Sequence, residues 1–154
     1  MEKKIFTFIL LIFLSSCGYE AIYSVKNMKK YNFSISKLSF IGDREINLKI
    51  KQKLNNYTKE IKDINFILKI TSTSEKIILA KDTAGDSTNF KIETVVNIDV
   101  FNNEKLKNNF IILESFNYDN NSNKFELKNY EKEIKRNLAE IIAEKLIFKL
   151  ANIK

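Results

Sequence analysis

The chain has 154 residues and a formal net charge of +7, and 44% of its residues are hydrophobic. That content is enough for a packed core, so the chain is not a disordered tail. It contains no His and a single Cys, which removes Ser-His-Asp and Cys-His catalytic arrangements and a conventional zinc site. It has no glycine-rich phosphate loop, and no carboxylate pair stands in a suggestive context. We therefore expect a protein that is not an enzyme and that uses no metal or other cofactor.

The N-terminal residues have the pattern of a secretion signal. Met1 to Lys4 is short and basic, and Ile5 to Leu14 is apolar apart from Thr7. A membrane-spanning helix needs about 20 apolar residues, whereas a signal-peptide core needs about 7–15. The length of this run favours a signal peptide over an uncleaved single-pass anchor.

The single cysteine follows this run in the pattern of a bacterial lipobox. Leu14-Ser15-Ser16-Cys17 places an aliphatic residue and two small residues before the thiol. We predict that residues 1–16 are removed by cleavage between Ser16 and Cys17, and that Cys17 carries a diacylglycerol and an N-acyl chain. Such chains contribute about 0.8 kcal/mol per buried CH₂ and hold a protein firmly on a membrane. The alternative is an ordinary signal peptide, cut elsewhere, that leaves a free thiol.

The residue after the cysteine indicates which membrane. An Asp at that position commonly retains a lipoprotein in the inner membrane of a Gram-negative cell, and this chain has Gly18 instead. We therefore expect a lipid anchor in the outer membrane, on its periplasmic face. Nucleic acid, the competing partner of a basic protein, is improbable for a secreted chain whose lysines are scattered along its length.

The mature chain divides into a lipidated N-terminus with its tether, residues 17–32, and a single α/β domain, residues 33–154. Phe33 to Ile41 begins with the alternation of a strand. Asp43 is a good helix N-cap and opens a predicted helix over about residues 43–60. The apolar stripe of that helix is Ile46, Ile50, Leu54, Tyr57 and Ile61.

Three extended stretches follow, over residues 65–81, 88–102 and 108–121. The middle one alternates most clearly, with Phe90, Ile92, Thr94, Val96, Ile98 and Val100 on one side. Gly85 marks the first connection, a turn that needs unusual backbone dihedrals, and residues 102–107 form a polar second one.

A helix of about 25 residues closes the chain. Its predicted stripe is Tyr130, Ile134, Leu138, Ile142, Leu146 and Leu150. The element order is therefore β-α-β-β-β-α. It predicts an α+β two-layer sandwich: a four-stranded, mostly antiparallel sheet with two helices on one face. The opposite face would carry Lys, Thr, Ser, Glu and Asn and be free for a partner or ligand.

Three stretches resemble the LPS-assembly lipoprotein (LptE) family. The mature start "CGYEAIYS" has the family's Cys-Gly-aromatic beginning with a further Tyr, here Tyr23, although Glu20 and Ala21 replace the usual Pro or Arg. The stretch 82–102 is similar to the family's glycine-containing turn and long central strand. The stretch 115–150 is similar to its last strand, short loop and final helix.

The resemblance implies a function without catalysis. Members of this family sit as a plug inside LptD, a large outer-membrane β-barrel, assist its assembly, and contact lipopolysaccharide on its way to the cell surface. By that resemblance we expect LptD and lipopolysaccharide as partners. The candidate contacts to lipopolysaccharide phosphates are Lys69, Lys76, Lys81 and Lys91. Two other functions stay open, a stand-alone periplasmic lipid- or ligand-binding lipoprotein and a scaffold for another envelope complex.

Overall fold

Four strands and two helices form the domain, in the predicted order. The computed structural model describes residues 31–153, so the predicted signal peptide, Ser16, Cys17 and nearly all of the tether lie outside the described residues. The elements are β1 (Phe33–Gly42), α1 (Arg44–Leu54) with a short 3₁₀ turn (Asn55–Tyr57), β2 (Ile64–Lys81), β3 (Ser87–Asn102), β4 (Lys105–Asp119) and α2 (Lys124–Ala151). The predicted α+β two-layer sandwich is confirmed.

The sheet has the spatial order β1-β2-β3-β4. β1 pairs with β2 in parallel, from Phe33 opposite Ile64 to Gly42 opposite Ser72. The other two pairs are antiparallel. Parallel neighbours need a crossover connection, and α1 supplies it, whereas short turns join the antiparallel strands.

The core lies between one face of the sheet and the two helices. The alternation predicted for β3 is confirmed, because all six even-numbered residues from Phe90 to Val100 are buried. The helices contribute two buried stripes to this core: Ile46, Ile50 and Leu54 from α1, and Ile134, Leu138, Ile142, Leu146 and Leu150 from α2. Tyr130, the first member of the predicted α2 stripe, is instead 44% exposed.

The first helix is shorter than its pattern predicted. Asp43 is the N-cap, as expected, and its Oδ1 accepts hydrogen bonds from the amides of Glu45 and Ile46 at 2.9 and 3.1 Å. The α-helix ends at Leu54, where two weak helix formers, both Asn, begin the 3₁₀ turn. Ile61 is therefore not on a helix face, and it is 92% exposed.

The two hairpin turns use different chemistry. Gly85 lies in the β2–β3 turn with φ +90°, as predicted. The β3–β4 turn is only two residues long, and both Asn103 and Glu104 have positive φ, 48° and 64°. Such a turn matches the twist of the flanking strands, and it lets β4 begin at Lys105, three residues earlier than predicted.

Candidate functional site: the open face of the sheet

One face of the sheet carries no helix among the described residues, and we call it the open face. Because partners across a sheet share a face, the strand register identifies its side chains. They come mainly from the three long strands: Ile67, Lys69, Thr71, Thr73, Glu75 and Ile77 of β2; Lys91, Glu93, Val95, Asn97, Asp99 and Phe101 of β3; and Asn109, Ile111, Leu113, Ser115 and Asn117 of β4.

The charges of the open face are largely compensated within it. Lys69 stands opposite Asp99 in the register, and the Asp99 carboxylate accepts a hydrogen bond from the Asn109 amide at 2.6 Å. Glu75 stands opposite Glu93, a like-charge pair that alone would be unfavourable. Lys91 lies 2.8 Å from the Glu93 carboxylate and offsets that repulsion. The open face thus presents both signs of charge and is not a uniformly basic patch.

Apolar side chains interrupt this polar pattern, and the most exposed of them lie at the β4 side of the open face. Ile111 and Leu113 are 66% and 53% exposed, and Leu113 stands opposite the half-buried Val95. The sequence pattern predicted a polar face, and the structure shows a mixed one. The reason is that Phe110 to Leu113 is a continuous apolar run, so it places apolar groups on both faces of β4.

The structure separates the four candidate lysines. Lys69 and Lys91 are on the open face, and the Lys69 ammonium lies 5.0 Å from the centre of the Phe101 ring. Lys81 ends β2 beside the hairpin turn and is exposed, with no ion pair to any described residue. Lys76 stands opposite the buried Ile92, so it projects toward the helices.

Lys76 belongs to a polar cluster that joins the sheet to α2. Its ammonium lies 2.6 Å from the Glu131 carboxylate and 3.8 Å from the centre of the Phe90 ring. The Tyr118 hydroxyl donates to the same Glu131 oxygen at 2.8 Å. Burial and the Glu131 carboxylate raise the pKa of Tyr118. Burial would raise the pKa of Glu131 too, but hydrogen bonds from Lys76 and Tyr118 outweigh it and lower that pKa.

The side of the sheet on which Lys76 lies could have been predicted from its position in β2. Lys76 continues the even-numbered series that places Phe66, Leu68 and Ile70 in the core. The polar stretch at the centre of β2 hid that continuation, because a lysine on a core face is unusual. Its placement indicates that Lys76 holds α2 on the sheet, which is a different role from that of a free cation on the open face.

Among residues 31–153, no three His, Cys, Asp or Glu side chains come together in a way that could hold a metal ion. In the same range, no helix combines the length and apolar content needed to cross a membrane.

Comparison with known proteins finds solved structures of similar fold. No family model matches the chain, and no curated protein matches it. Among solved structures, rare lipoprotein B from Shewanella oneidensis has a TM-score of 0.55 at 16% identity, over 75% of this chain and 97% of that one. A minor lipoprotein from Acinetobacter baumannii has a TM-score of 0.57 at 12% identity, over 79% and 91%. Lipoprotein B from Nitrosomonas europaea has 0.51 at 9%, over 77% and 84%.

These similarities concern the fold. The chain adopts a two-layer α+β architecture that is also found in several bacterial lipoproteins, and it spans most of the length of each of them. At 9–16% identity, these matches describe the architecture of the domain.

Proposed function

We propose that this protein is an outer-membrane lipoprotein that plugs and helps assemble the lipopolysaccharide-export barrel LptD and assists insertion of lipopolysaccharide at the cell surface. Lipid on Cys17 anchors it to the periplasmic face of the membrane. The observation that carries the proposal is a mixed-polarity sheet face that no described helix covers, on a domain whose fold is also found in bacterial lipoproteins. The lipobox of the sequence predicts the location in the membrane, and the family resemblance predicts the partner.

The open face suits the inside of a barrel. The lumen of an outer-membrane barrel is lined by polar residues, which alternate along each strand with the apolar residues that face the lipid. A plug needs hydrogen-bonding groups and charges of both signs, together with a few apolar contacts, to fit such a wall. Asn97, Lys69 and Asp99 supply the polar and charged groups. Ile111 and Leu113 supply the apolar contacts.

Contact with lipopolysaccharide would fall to the lysines that are accessible. Lys81 is exposed at the hairpin end, and Lys69 projects from the open face. A lysine ammonium binds phosphate as a point charge. Lys91 is already engaged by Glu93, and Lys76 by Glu131, so each would have to exchange a partner before it met a phosphate. We therefore rank Lys81 and Lys69 first.

A stand-alone ligand-binding lipoprotein is the main alternative. It requires an apolar cavity between the helices and the sheet, and the side chains there, such as Leu68, Ile98 and Ile142, are fully buried against one another. A scaffold for another envelope complex would use the same open face with a different partner, and only identification of the partner separates it from the leading proposal.

The first experiment is affinity purification of the full-length, lipidated protein from its own envelope, followed by mass spectrometry. We expect one large outer-membrane barrel in about a one-to-one ratio. The absence of any barrel from the eluate would reject the plug function. A different membrane complex in its place would favour the scaffold. A Cys17→Ala variant should stay uncleaved or mislocalise, and normal membrane partitioning of that variant would reject the lipid anchor.

A surface variant tests whether the open face makes the contact. Thr73→Arg places a long cation at the centre of the open face, opposite Val95. It should reduce recovery of the barrel while leaving the fold intact, because Thr73 is exposed. Lys51→Glu, on the exposed side of α1, is the matched control and should leave recovery unchanged. Equal recovery with both variants would remove the open face from the interface.

A further inference from the structure

The fourth strand leaves one edge of the sheet unpaired. β4 runs for 15 residues and pairs with β3 on one side, and no described strand pairs with its other side. The backbone N–H and C=O groups along such an edge form a template for another strand. A free edge of this length is usually covered or blocked, so its side chains show whether it is built to avoid pairing or to permit it.

Apolar groups line this edge on both faces. Ile111 and Leu113 flank it on the open face, and Phe116, 46% exposed, flanks it on the helix side. On α2, Ile141 and Phe148 are 42% and 64% exposed and lie two helical turns apart. We call this edge, with the apolar side chains on both of its faces, the seam.

Contacts between α2 and β4 fix the helix alongside this seam. Lys145 forms an ion pair with Glu114 of β4, and the Lys149 ammonium lies 5.1 Å from the centre of the Phe110 ring. Phe148 borders a groove together with Asn108 and Phe110. Phe148 of α2 and Phe110 of β4 therefore lie on one surface on the helix side of the seam.

The charges of β4 are ordered along the strand. Lys105 and Lys107 lie at its beginning, and Glu114 and Asp119 lie in its second half. Two copies of the strand aligned in antiparallel would therefore bring opposite charges together, whereas parallel alignment would bring like charges together. In the antiparallel register centred on Ile112, residues whose numbers add to 224 face each other.

We propose that the free protein forms a two-fold symmetric dimer by antiparallel pairing of β4 with β4 of a second copy, in the register centred on Ile112. Lys105 then faces Asp119 of the other copy, and Ile111 faces Leu113, each pair occurring twice because of the symmetry. No like charges face each other along the 15-residue strand.

The helix side of the seam is complementary in the same register. Glu114 faces Phe110 of the other copy, and the Phe110 ring carries the Lys149 ammonium. An acidic side chain that points inward on an edge strand normally discourages pairing. In this register the Lys149 ammonium of the other copy lies opposite Glu114. The acidic side chain therefore adds an attractive contact and does not block pairing.

Charge reversal tests this register. The full-length lipidated protein is studied in detergent micelles by sedimentation equilibrium, with the detergent matched to the solvent density. The wild type should form dimers. Lys105→Asp and Asp119→Lys should each raise the dissociation constant about tenfold, since two symmetric pairs change from attraction to repulsion. The variant with both changes should regain wild-type affinity.

The double variant separates interface from fold. Asp119 also accepts a hydrogen bond from Asn89 at 2.8 Å, so Asp119→Lys alone could act locally, but only a contact between copies is rescued by the second reversal. A protein that is monomeric at every concentration, or a double variant weaker than either single one, would overturn the proposal.

Cross-linking provides a second, independent readout. Oxidation of a mixture of Ile111→Cys and Leu113→Cys variants should give more disulfide-linked dimer than either variant alone. Thr71→Cys, on the open face but away from the edge, is the control, and Cys17 is common to all samples. Cross-linking no stronger than in the control would reject the register. Neither assay involves a barrel, so both are independent of the proposed function.

Discussion

Gly42, the last residue of β1, should be the most sensitive glycine of the domain. It has φ +99°, and a Cβ built on it would lie 1.9 Å from the carbonyl oxygen of Ser72 on β2 and 2.9 Å from the carbonyl carbon. Gly85 is a matched control, because its φ is +90° and a Cβ there would have no atom within 4 Å. The two glycines share the backbone requirement, and only Gly42 adds a steric one.

The difference between the two Ala substitutions follows from these distances. A positive φ costs an Ala residue about 1 kcal/mol after allowance for the entropy that Gly loses on folding. Gly85→Ala should therefore lower the free energy of unfolding by about 1 kcal/mol. Gly42→Ala must also push β1 away from β2, an overpacking cost of about 1–3 kcal/mol. It also strains the 3.1 Å hydrogen bond from the Asp43 amide to the Ser72 carbonyl, worth about 1 kcal/mol.

The assay is urea unfolding of the full-length protein, followed by circular dichroism. Gly42→Ala should lose about 3–5 kcal/mol in total, a large share of the 5–15 kcal/mol typical of a domain, and Gly85→Ala about 1 kcal/mol. Equal losses for the two variants would refute the reasoning, because they would mean that the contact with Ser72 relaxes at no cost. A changed slope with denaturant would instead indicate an altered denatured state.

Three further predictions concern the core, the second turn and the acid limb of stability. Leu146→Ala should lower the free energy of unfolding by about 2–5 kcal/mol, because Leu146 is fully buried. Leu48→Ala, at a side chain that is 49% exposed, should lower it far less. Equal urea midpoints for the two variants would contradict the assigned core. Glu104→Gly should raise the free energy of unfolding by up to about 1 kcal/mol, since it relieves a φ of +64°; Lys105→Gly, the next residue along, should not stabilise. Burial would raise the pKa of Glu131, but hydrogen bonds from Lys76 and Tyr118 hold it below its ordinary value. The charge of Glu131 therefore stabilises the fold above the ordinary pKa of a glutamate, about 4.3, and that stabilisation is lost as the pH falls through the folded value. Glu131→Gln should therefore weaken the acid-induced loss of stability, and an unchanged slope below that ordinary pKa in a pH series of urea unfolding would count against this.

Local pattern was enough to predict the elements and the fold class. The alternation from Phe90 to Val100 and the four-residue steps of α2 each identify a buried side that needs a partner layer, and the order of the elements leaves few ways to pack them. The cap at Asp43 and the turn at Gly85 were predicted correctly for the same reason, since each depends on chemistry within a few residues. The lipid anchor on Cys17 also rests on sequence alone, as a prediction for residues outside the described domain.

Tertiary structure decided what local pattern could not. Alternation along β2 places Lys76 on the helix side of the sheet. Its ion pair with Glu131, 55 residues away in sequence, depends on how α2 packs, and no local periodicity encodes that. The mixed character of the open face depends on which residues of the apolar run of β4 lie on that face. The pairing of β4 with β3 decides this. The unpaired edge of β4 depends on the order of strands in space. Contacts within a turn or a helix are fixed by neighbouring residues, whereas register, facing and exposure are properties of the assembled sheet.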